Sequence, residues 1–131
     1  MGAPYCPPDR EKIKEMGAKV CFLGAPWDLS TIVRTGTSSG PQGIREASTQ
    51  YFPYMFEYDV DLMTFFNVVD CGDIPIVPGN SAKSQQYMVD YITECLEGGA
   101  RVILVGGDHS VPIPGARALS NHLARHRPQA K

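Results

Sequence analysis

The segment Gly106 to Ser110 (GGDHS) combines residue types that could do chemistry, and it directly follows an apolar run, Arg101 to Val105. Its two glycines let the backbone turn off a strand, which leaves Asp108 and His109 at the carboxyl end. A neutral imidazole there could bind a divalent metal ion, and a neighbouring oxygen acceptor could fix its tautomer. The same pattern suits an ordinary hydrogen-bonded histidine in a turn, because one His and one carboxylate define no metal site.

Other candidate residues lie in two polar segments. Asp28 and Arg34 belong to the segment from Ala25 to Gly40, and a loop of that length is usually functional or mobile. Asp70 ends another apolar run, and Asp73 lies in the second polar segment, from Gly72 to Ala82, which follows that run. The three aspartates could border a site, or they could only cap turns by accepting backbone hydrogen bonds. Arg34 could border a substrate mouth or contact a neighbouring subunit, and the sequence does not separate these alternatives.

Two further groups of reactive side chains are not predicted to form functional sites. His122 and His126 lie near the basic end of the chain, and we expect them to be solvated, since surface helix ends favour such residues. The four cysteines are far apart and contain no C-x-x-C pair, a spacing that predicts free thiols in a reducing compartment. These are Cys6, Cys21, Cys71 and Cys95.

Three short apolar runs predict the strands that must position the candidate residues: Lys19 to Gly24, Thr64 to Asp70, and Arg101 to Val105. Apolar character at nearly every position predicts strands covered on both faces, as in a parallel sheet. The polar segments follow the carboxyl ends of these strands, where open α/β sheets place their ligand sites. We therefore expect Asp108 and His109 just beyond a central parallel strand, beside the loop that starts at Ala25.

Three helices are predicted around these strands. Apolar residues from Tyr87 to Leu96 recur on one helical face, and Gly98-Gly99 can end that helix. A second helix begins at Pro41, which is acceptable in a first turn, and a third begins near Pro112 to Pro114 and runs toward Ala124. Strands alternating with helices predict an α/β fold with a mainly parallel sheet.

Length and composition exclude several classes of protein. The 131 residues fit one domain, and a hydrophobic fraction of 43% with 20% charged residues is that of a folded globular chain. A formal charge of -2 gives no basic excess for a nucleic-acid partner. No apolar run approaches the roughly 20 residues of a membrane span. We expect a cytoplasmic protein that binds neither nucleic acid nor membrane.

Four motifs together resemble the ureohydrolase family, which includes arginases and agmatinases. GGDHS looks like the family's first metal-binding signature. The others resemble features of agmatinase-like members: a G-x-P-x-D turn, an R-x-G segment followed by a G-P-x-x-I-R-E helix start, and a D-x-G-D. Here they are Gly24 to Asp28, Arg34 to Ser48, and Asp70 to Asp73. The motifs occur in the family's order on the predicted elements, and the resemblance extends from Lys19 to about Leu123.

The resemblance implies a three-layer αβα fold, truncated, with residues 1–131 as the amino-terminal part of one ureohydrolase-like domain. It implies two Mn²⁺ ions per complete site, with His109 as a ligand. Asp108, Asp28, Arg34, Asp70 and Asp73 become candidates for a supporting role or for the substrate mouth. The family's remaining ligands lie in D-A-H-x-D and D-x-D motifs, and neither motif occurs in this sequence.

The implied reaction is hydrolysis of a guanidinium carbon by metal-activated water, giving urea and an amine. Agmatine, which yields putrescine and urea in polyamine biosynthesis, is the first expected substrate, and guanidinobutyrate or another guanidino acid is the second. A full-length protein of this kind is expected to be a homo-oligomer. Two rivals remain: a non-catalytic ureohydrolase-like fragment, and a nucleotide-binding α/β domain that no G-x-G-x-x-G or G-K-[ST] loop supports.

Overall fold

The structure is a computed structural model, and it describes residues 2–126. Three parallel strands form its main sheet: β1 (Val20–Ala25), β4 (Val68–Asp73) and β5 (Arg101–Gly106). Their order is β4-β1-β5, so β1 lies in the centre. The register pairs Val20 with both Val68 and Arg101, which brings the carboxyl ends of all three strands to one rim of the sheet. The parallel sheet predicted from the apolar runs is confirmed.

Helices cover the two faces of this sheet. Their bounds are α1 (Arg10–Glu15), α2 (Gly40–Ser48), α3 (Leu62–Phe65), α4 (Ser81–Glu97) and α5 (Pro112–His126), and a 3-10 turn at Thr37–Ser39 precedes α2. Cys21 of β1 lies against Cys95 of α4, whereas the next residue, Phe22, lies under the guanidinium of Arg45 in α2. Successive side chains of a strand point to opposite faces, so α4 and α2 lie on opposite sides of the sheet. The arrangement is a three-layer αβα fold, as predicted.

The three helices predicted from the sequence are present. The long one, α4, ends at Gly98, and Gly99 takes a positive φ of 87°, a conformation that glycine adopts without steric penalty. Pro41 lies in the first turn of α2, and Pro112 begins α5. None of the helices in residues 2–126 is long and apolar enough to cross a bilayer.

The second predicted strand begins too early. The apolar run from Thr64 to Asp70 contains a short helix, α3, whose first turn is capped by the carboxylate of Asp61, and the strand starts only at Val68. It then continues through Asp73, past the predicted end. Short apolar runs do not distinguish helix from strand by periodicity, and here the cap at Asp61 selects the helix. A two-residue antiparallel pair, β2 (Tyr54–Met55) with β3 (Val60–Asp61), precedes α3.

The prediction that every strand is covered on both faces is wrong for β5. Residues from Arg101 to Leu104 alternate between exposed and partly buried, and Ile103 is 51% exposed. Helix α2 approaches β5 at Gly106, where a Cβ on Gly40 would lie 2.8 Å from the Gly106 carbonyl oxygen, and it leaves the side chain of Ile103 largely open. The outer edge of β5 is also unpaired within the described residues. The opposite edge is closed, since Asp70 of β4 accepts a backbone hydrogen bond from Cys6 and donates one to Pro4. The sheet therefore has one closed and one open edge.

Candidate functional site

The carboxyl rim of the sheet is held together by glycines that have no room for a side chain. A Cβ atom on Gly107 would lie 1.7 Å from the carbonyl oxygen of Trp27, and one on Gly24 would lie 1.9 Å from Oδ1 of Asp73. Gly107 also donates its N–H to Ala25, and Asp108 donates its own to Trp27. The GGDHS turn is thus locked against the chain that leaves β1.

Asp108 is the anchor of this turn. Its side chain is almost fully buried, and one carboxylate oxygen accepts a hydrogen bond from the backbone N–H of Ser30 at 2.7 Å. The other accepts from the backbone N–H of Ser110 at 2.9 Å and from its hydroxyl. Burial alone would raise the pKa of Asp108, but these hydrogen bonds outweigh it and hold the pKa below its ordinary value. Asp108 therefore acts as an ionised brace between the turn and the loop after β1.

His109 lies next to this brace with its imidazole exposed. It makes no hydrogen bond or ion pair with another residue in the described range 2–126. It lines an open cleft of about 380 Å³ together with Asp108, Leu104, Val111 and Pro112. The expected position, beyond a strand's carboxyl end and beside the loop from Ala25, is confirmed. The strand, β5, is an edge strand of the described sheet and not the central one, because β1 takes the centre.

Asp28 organises the loop that faces this turn. Its carboxylate accepts hydrogen bonds from the backbone N–H of Gly36 and from the hydroxyls of Thr31 at 2.8 Å and Thr37 at 3.0 Å. These bonds, the one from Gly36 foremost, lower the pKa of Asp28. Arg34 lies inside the closed loop, is exposed, and pairs with no carboxylate of the described residues. Asp28 thus shapes a loop that presents Arg34 to solvent.

Asp70 and Asp73 form an ion-pair cluster with Arg45. The guanidinium donates Nε to Asp70 at 2.7 Å, Nη2 to Asp70 at 2.9 Å and Nη1 to Asp73 at 2.7 Å. Asp70 also accepts the backbone N–H of Gly72 at 2.8 Å, as an aspartate in a turn often does. Burial opposes ionisation of Asp70, but Arg45 and Gly72 lower its pKa overall. The cluster joins α2 to β4, so both carboxylates are already occupied by a cation.

The side chains around His109 are too few to form a two-metal centre among the described residues. Manganese is bound by imidazole and by several oxygen ligands, and two cations need several carboxylates to offset their charge. The described residues bring no group of three His, Cys, Asp or Glu ligand atoms together at His109. Asp108 is committed to Ser30 and Ser110, and Asp28 to its own loop. The described residues therefore offer one free ligand and do not form a complete binuclear centre.

Two clusters elsewhere were not expected from the sequence. The thiols of Cys21, Cys71 and Cys95 are buried and lie within 4.8 Å of one another, although they remain free. In the other cluster, Glu97 contacts Nδ1 of His122 at 3.1 Å and Nε2 of His126 at 2.9 Å. The expectation that the late histidines are solvated is wrong for His122, whose side chain is 21% exposed, whereas His126 is 53% exposed, as expected. The four-residue spacing of the two histidines, of which His122 lies on the predicted helix and His126 just beyond its predicted end, was the signal available for this pair.

The sequence of the chain is similar to that of known proteins of one family. The sequence model of the Arginase family matches residues 18–130. Agmatinase from Salmonella paratyphi B is 33% identical over 106 residues, which are 79% of this chain and 35% of that protein. The agmatinase of Salmonella typhi matches to the same extent. The chain thus spans about a third of the length of these curated relatives.

Solved structures agree with the sequence matches. Proclavaminate amidino hydrolase from Streptomyces clavuligerus superposes with a TM-score of 0.79 at 27% identity, covering 92% of this chain and 38% of that one. A formiminoglutamase from Trypanosoma cruzi, solved with Mn²⁺, superposes with a TM-score of 0.71 at 22% identity, covering 82% of this chain and 38% of that one, and so shows likeness of fold. On the family match and these relatives, the chain belongs to the arginase family.

Proposed function

We propose that this chain is the amino-terminal part of a manganese-dependent ureohydrolase that hydrolyses a guanidino compound to urea and an amine. The observation that carries the proposal is the exposed imidazole of His109 at the carboxyl rim of the sheet, held by the buried Asp108 beside the loop from Asp28. Agmatinases among the relatives and the Mn²⁺ of the Trypanosoma formiminoglutamase support it.

In this proposal, each candidate residue of the chain has a separate role. His109 serves as the one metal ligand that the chain contributes, and Asp108 positions it by bracing the turn on both sides. Asp28 shapes the loop from which Arg34 borders the substrate mouth. Asp70 and Asp73 act through Arg45 by holding α2 against β4. Manganese, when bound, supplies Lewis acidity and lowers the pKa of coordinated water.

Agmatine is the first substrate in this proposal, which would place the protein in polyamine synthesis. Its support is the G-x-P-x-D turn at Gly24 to Asp28 and the agmatinase matches. A guanidino acid such as guanidinobutyrate is the second candidate substrate. It is supported by the structural likeness to proclavaminate amidino hydrolase. The two substrates differ at the tail, an ammonium in agmatine and a carboxylate in the acid, so a direct comparison separates them.

The test starts from the encoding DNA beyond Lys131. If the reading frame supplies D-A-H-x-D and D-x-D motifs, the longer protein is purified with manganese, and urea release is measured from agmatine and from 4-guanidinobutyrate. We expect turnover of agmatine that falls by about 100-fold or more in His109→Ala, since a metal ligand is lost. Full turnover in His109→Ala would contradict the role of that residue, and preference for guanidinobutyrate would replace the substrate.

A second candidate function is a non-catalytic ureohydrolase-like fragment that associates with other chains. The observation that favours it is the single free ligand at the rim, together with the open edge and face of β5. A reading frame that stops at Lys131 would select this alternative. The cytoplasmic location, the homo-oligomer, the lack of a nucleic-acid partner and the assignment to a single domain remain proposals alongside either function.

A further inference from the structure

A second group of metal-ligand residues lies at the other end of the sheet from His109. Glu97 is the last residue of α4, just before the amino end of β5, whereas His109 follows the carboxyl end of that strand. A six-residue strand spans about 20 Å at roughly 3.3 Å per residue. The group is therefore separate from the proposed manganese site, and its inference does not depend on the proposed function.

The group consists of one carboxylate and two imidazoles in direct contact. Oε1 of Glu97 lies 3.1 Å from Nδ1 of His122, and Oε2 lies 2.9 Å from Nε2 of His126. The histidines are four residues apart on α5, which places both on one helical face, and their ring centroids are 4.5 Å apart. One ligand atom from each of the three residues lies within 4.8 Å of the other two.

We propose that Glu97, His122 and His126 form a binding site for one divalent transition-metal ion of the zinc class. Two imidazoles and a carboxylate are a three-ligand set of open zinc sites, in which water takes the fourth position. Zinc bonds of about 2.0–2.1 Å in a tetrahedron place neighbouring donor atoms about 3.3 Å apart. The contacts of 2.9 and 3.1 Å are slightly shorter, so a small outward movement admits an ion in place of the shared protons.

The burial of the three side chains suits an ion that enters from solvent. Glu97 is 12% and His122 21% exposed, whereas His126 is 53% exposed and forms the outer wall. The site would join the end of α4 to α5, the helix that begins three residues after His109.

Two cations compete with a metal here. Nη1 of Arg125 lies 3.4 Å from Oε1 of Glu97, and the side chain is 54% exposed, with Nε donating to the backbone carbonyl of Asn121 at 3.3 Å. Arg10 is farther from Glu97 and is held by the carboxylate of Glu94. Removal of the Arg125 charge should therefore tighten metal binding, which gives a variant expected to change affinity in the opposite direction from the ligand variants.

The experiment titrates the metal-free 131-residue chain, kept reduced, with Zn²⁺ and with Co²⁺. Calorimetry gives the dissociation constant, the visible spectrum of Co²⁺ reports four-coordinate binding, and thermal unfolding reports stabilisation. We expect one ion per chain and an unfolding temperature raised by about 5 °C or more at saturation. His126→Gln and His122→Gln should each weaken binding at least about tenfold. Arg125→Gln should bind the ion more tightly than the unaltered chain.

Three results would overturn the proposal. The first is no change of the unfolding temperature with Zn²⁺. The second is unchanged affinity in His126→Gln, a variant expected to fold normally because His126 is exposed. The third is a Co²⁺ spectrum with strong thiolate charge-transfer bands that the histidine variants leave intact, because the ion would then be bound by Cys21, Cys71 and Cys95. Circular dichroism of each variant verifies that the helices are retained.

Discussion

The carboxylate of Asp108 accepts a hydrogen bond of 2.7 Å from the backbone N–H of Ser30, a residue 78 positions earlier in the chain. The bond joins the turn that carries His109 to the loop that Asp28 closes. Since Asp108 is 8% exposed and ionised, the bond is charge-assisted and shielded from water. This carboxylate, together with the backbone hydrogen bonds from Gly107 to Ala25 and from Asp108 to Trp27, sets the relative position of the two loops and with it the mouth of the proposed site.

Replacement of Asp108 by Asn should weaken the contact between the turn that carries His109 and the loop that contains Ser30. The amide keeps one acceptor but replaces the other with a donor, so the N–H of Ser30 or of Ser110 loses its partner at a cost of about 1–3 kcal/mol. We expect faster hydrogen exchange of the Ser30 amide and faster tryptic cleavage after Arg34. Exchange at Ser84, whose amide bonds to Asn80 within α4, serves as the control and should not change. Unchanged exchange at Ser30 would contradict the brace.

The close approach of Gly107 to Trp27 predicts that Gly107→Ala destabilises the fold. The added Cβ would meet the carbonyl carbon and oxygen of Trp27, so the backbone must shift, at a cost of about 3 kcal/mol or more. Gly43→Ala is the matched control, because Gly43 lies within α2 with nothing near its missing Cβ. It should stabilise the chain by about 0.5–1 kcal/mol. Urea unfolding of both variants measures the difference, and equal midpoints would refute it.

The Arg45 cluster predicts a stability loss that depends on pH. The pKa of Asp70 is lowered in the folded state, so its contribution is present above the unfolded pKa and is lost as pH falls through the folded value. Arg45→Met should therefore cost about 1–3 kcal/mol at pH 7, and the cost should shrink below about pH 4. Urea midpoints at the two pH values test this.

A pH-independent effect of Arg45→Met would show that lost packing on Phe22, and not charge, accounts for the change. Lys12→Met is the control for a surface pair. Lys12 bonds to Glu15 at 2.9 Å, but both side chains are more than half exposed, and such pairs contribute little. Its midpoint should change much less than that of Arg45→Met at pH 7.

The described residues offer a single free ligand at the rim, and we therefore predict that the 131-residue chain alone hydrolyses no agmatine, even with excess manganese. One imidazole binds Mn²⁺ weakly and does not hold two cations. A urea-release assay over a manganese titration, with His109→Ala in parallel, measures this. Manganese-dependent turnover that disappears in His109→Ala would prove the prediction wrong and would mean that Asp70, Asp73 or Asp108 rearranges to complete the site.

The open side of β5 predicts that the chain self-associates. An unpaired strand edge beside an exposed apolar face is a template for pairing with another chain. Ile103→Lys, which places a charge on that face, should raise the monomer fraction measured by size-exclusion chromatography with light scattering. Ile32→Lys is the control, because Ile32 is 98% exposed in the loop after β1 and is not part of the sheet. An equal effect of both variants would contradict a role for β5.

The local sequence pattern was sufficient to predict most helices and strands and the position of His109 after a strand. The Gly-rich ends of the apolar runs and the period of the Tyr87 to Leu96 face are properties of neighbouring residues, and they predicted β1, β5, α4 and the turn after β5. The predicted strand start at Thr64 was wrong, and the strand starts at Val68, because a side-chain cap at Asp61, whose strength depends on local geometry, competes with strand propensity.

Contacts between residues distant in the chain needed the folded structure. Sequence named Asp28, Asp70, Asp73 and Asp108 as candidates, but folding assigns three of them partners in other elements: Arg45 for Asp70 and Asp73, and Ser30 for Asp108. It also brings Glu97 to His122 and His126, and three cysteines to one another. Such partners follow from strand order and helix packing, which bring together side chains that no spacing along the chain relates.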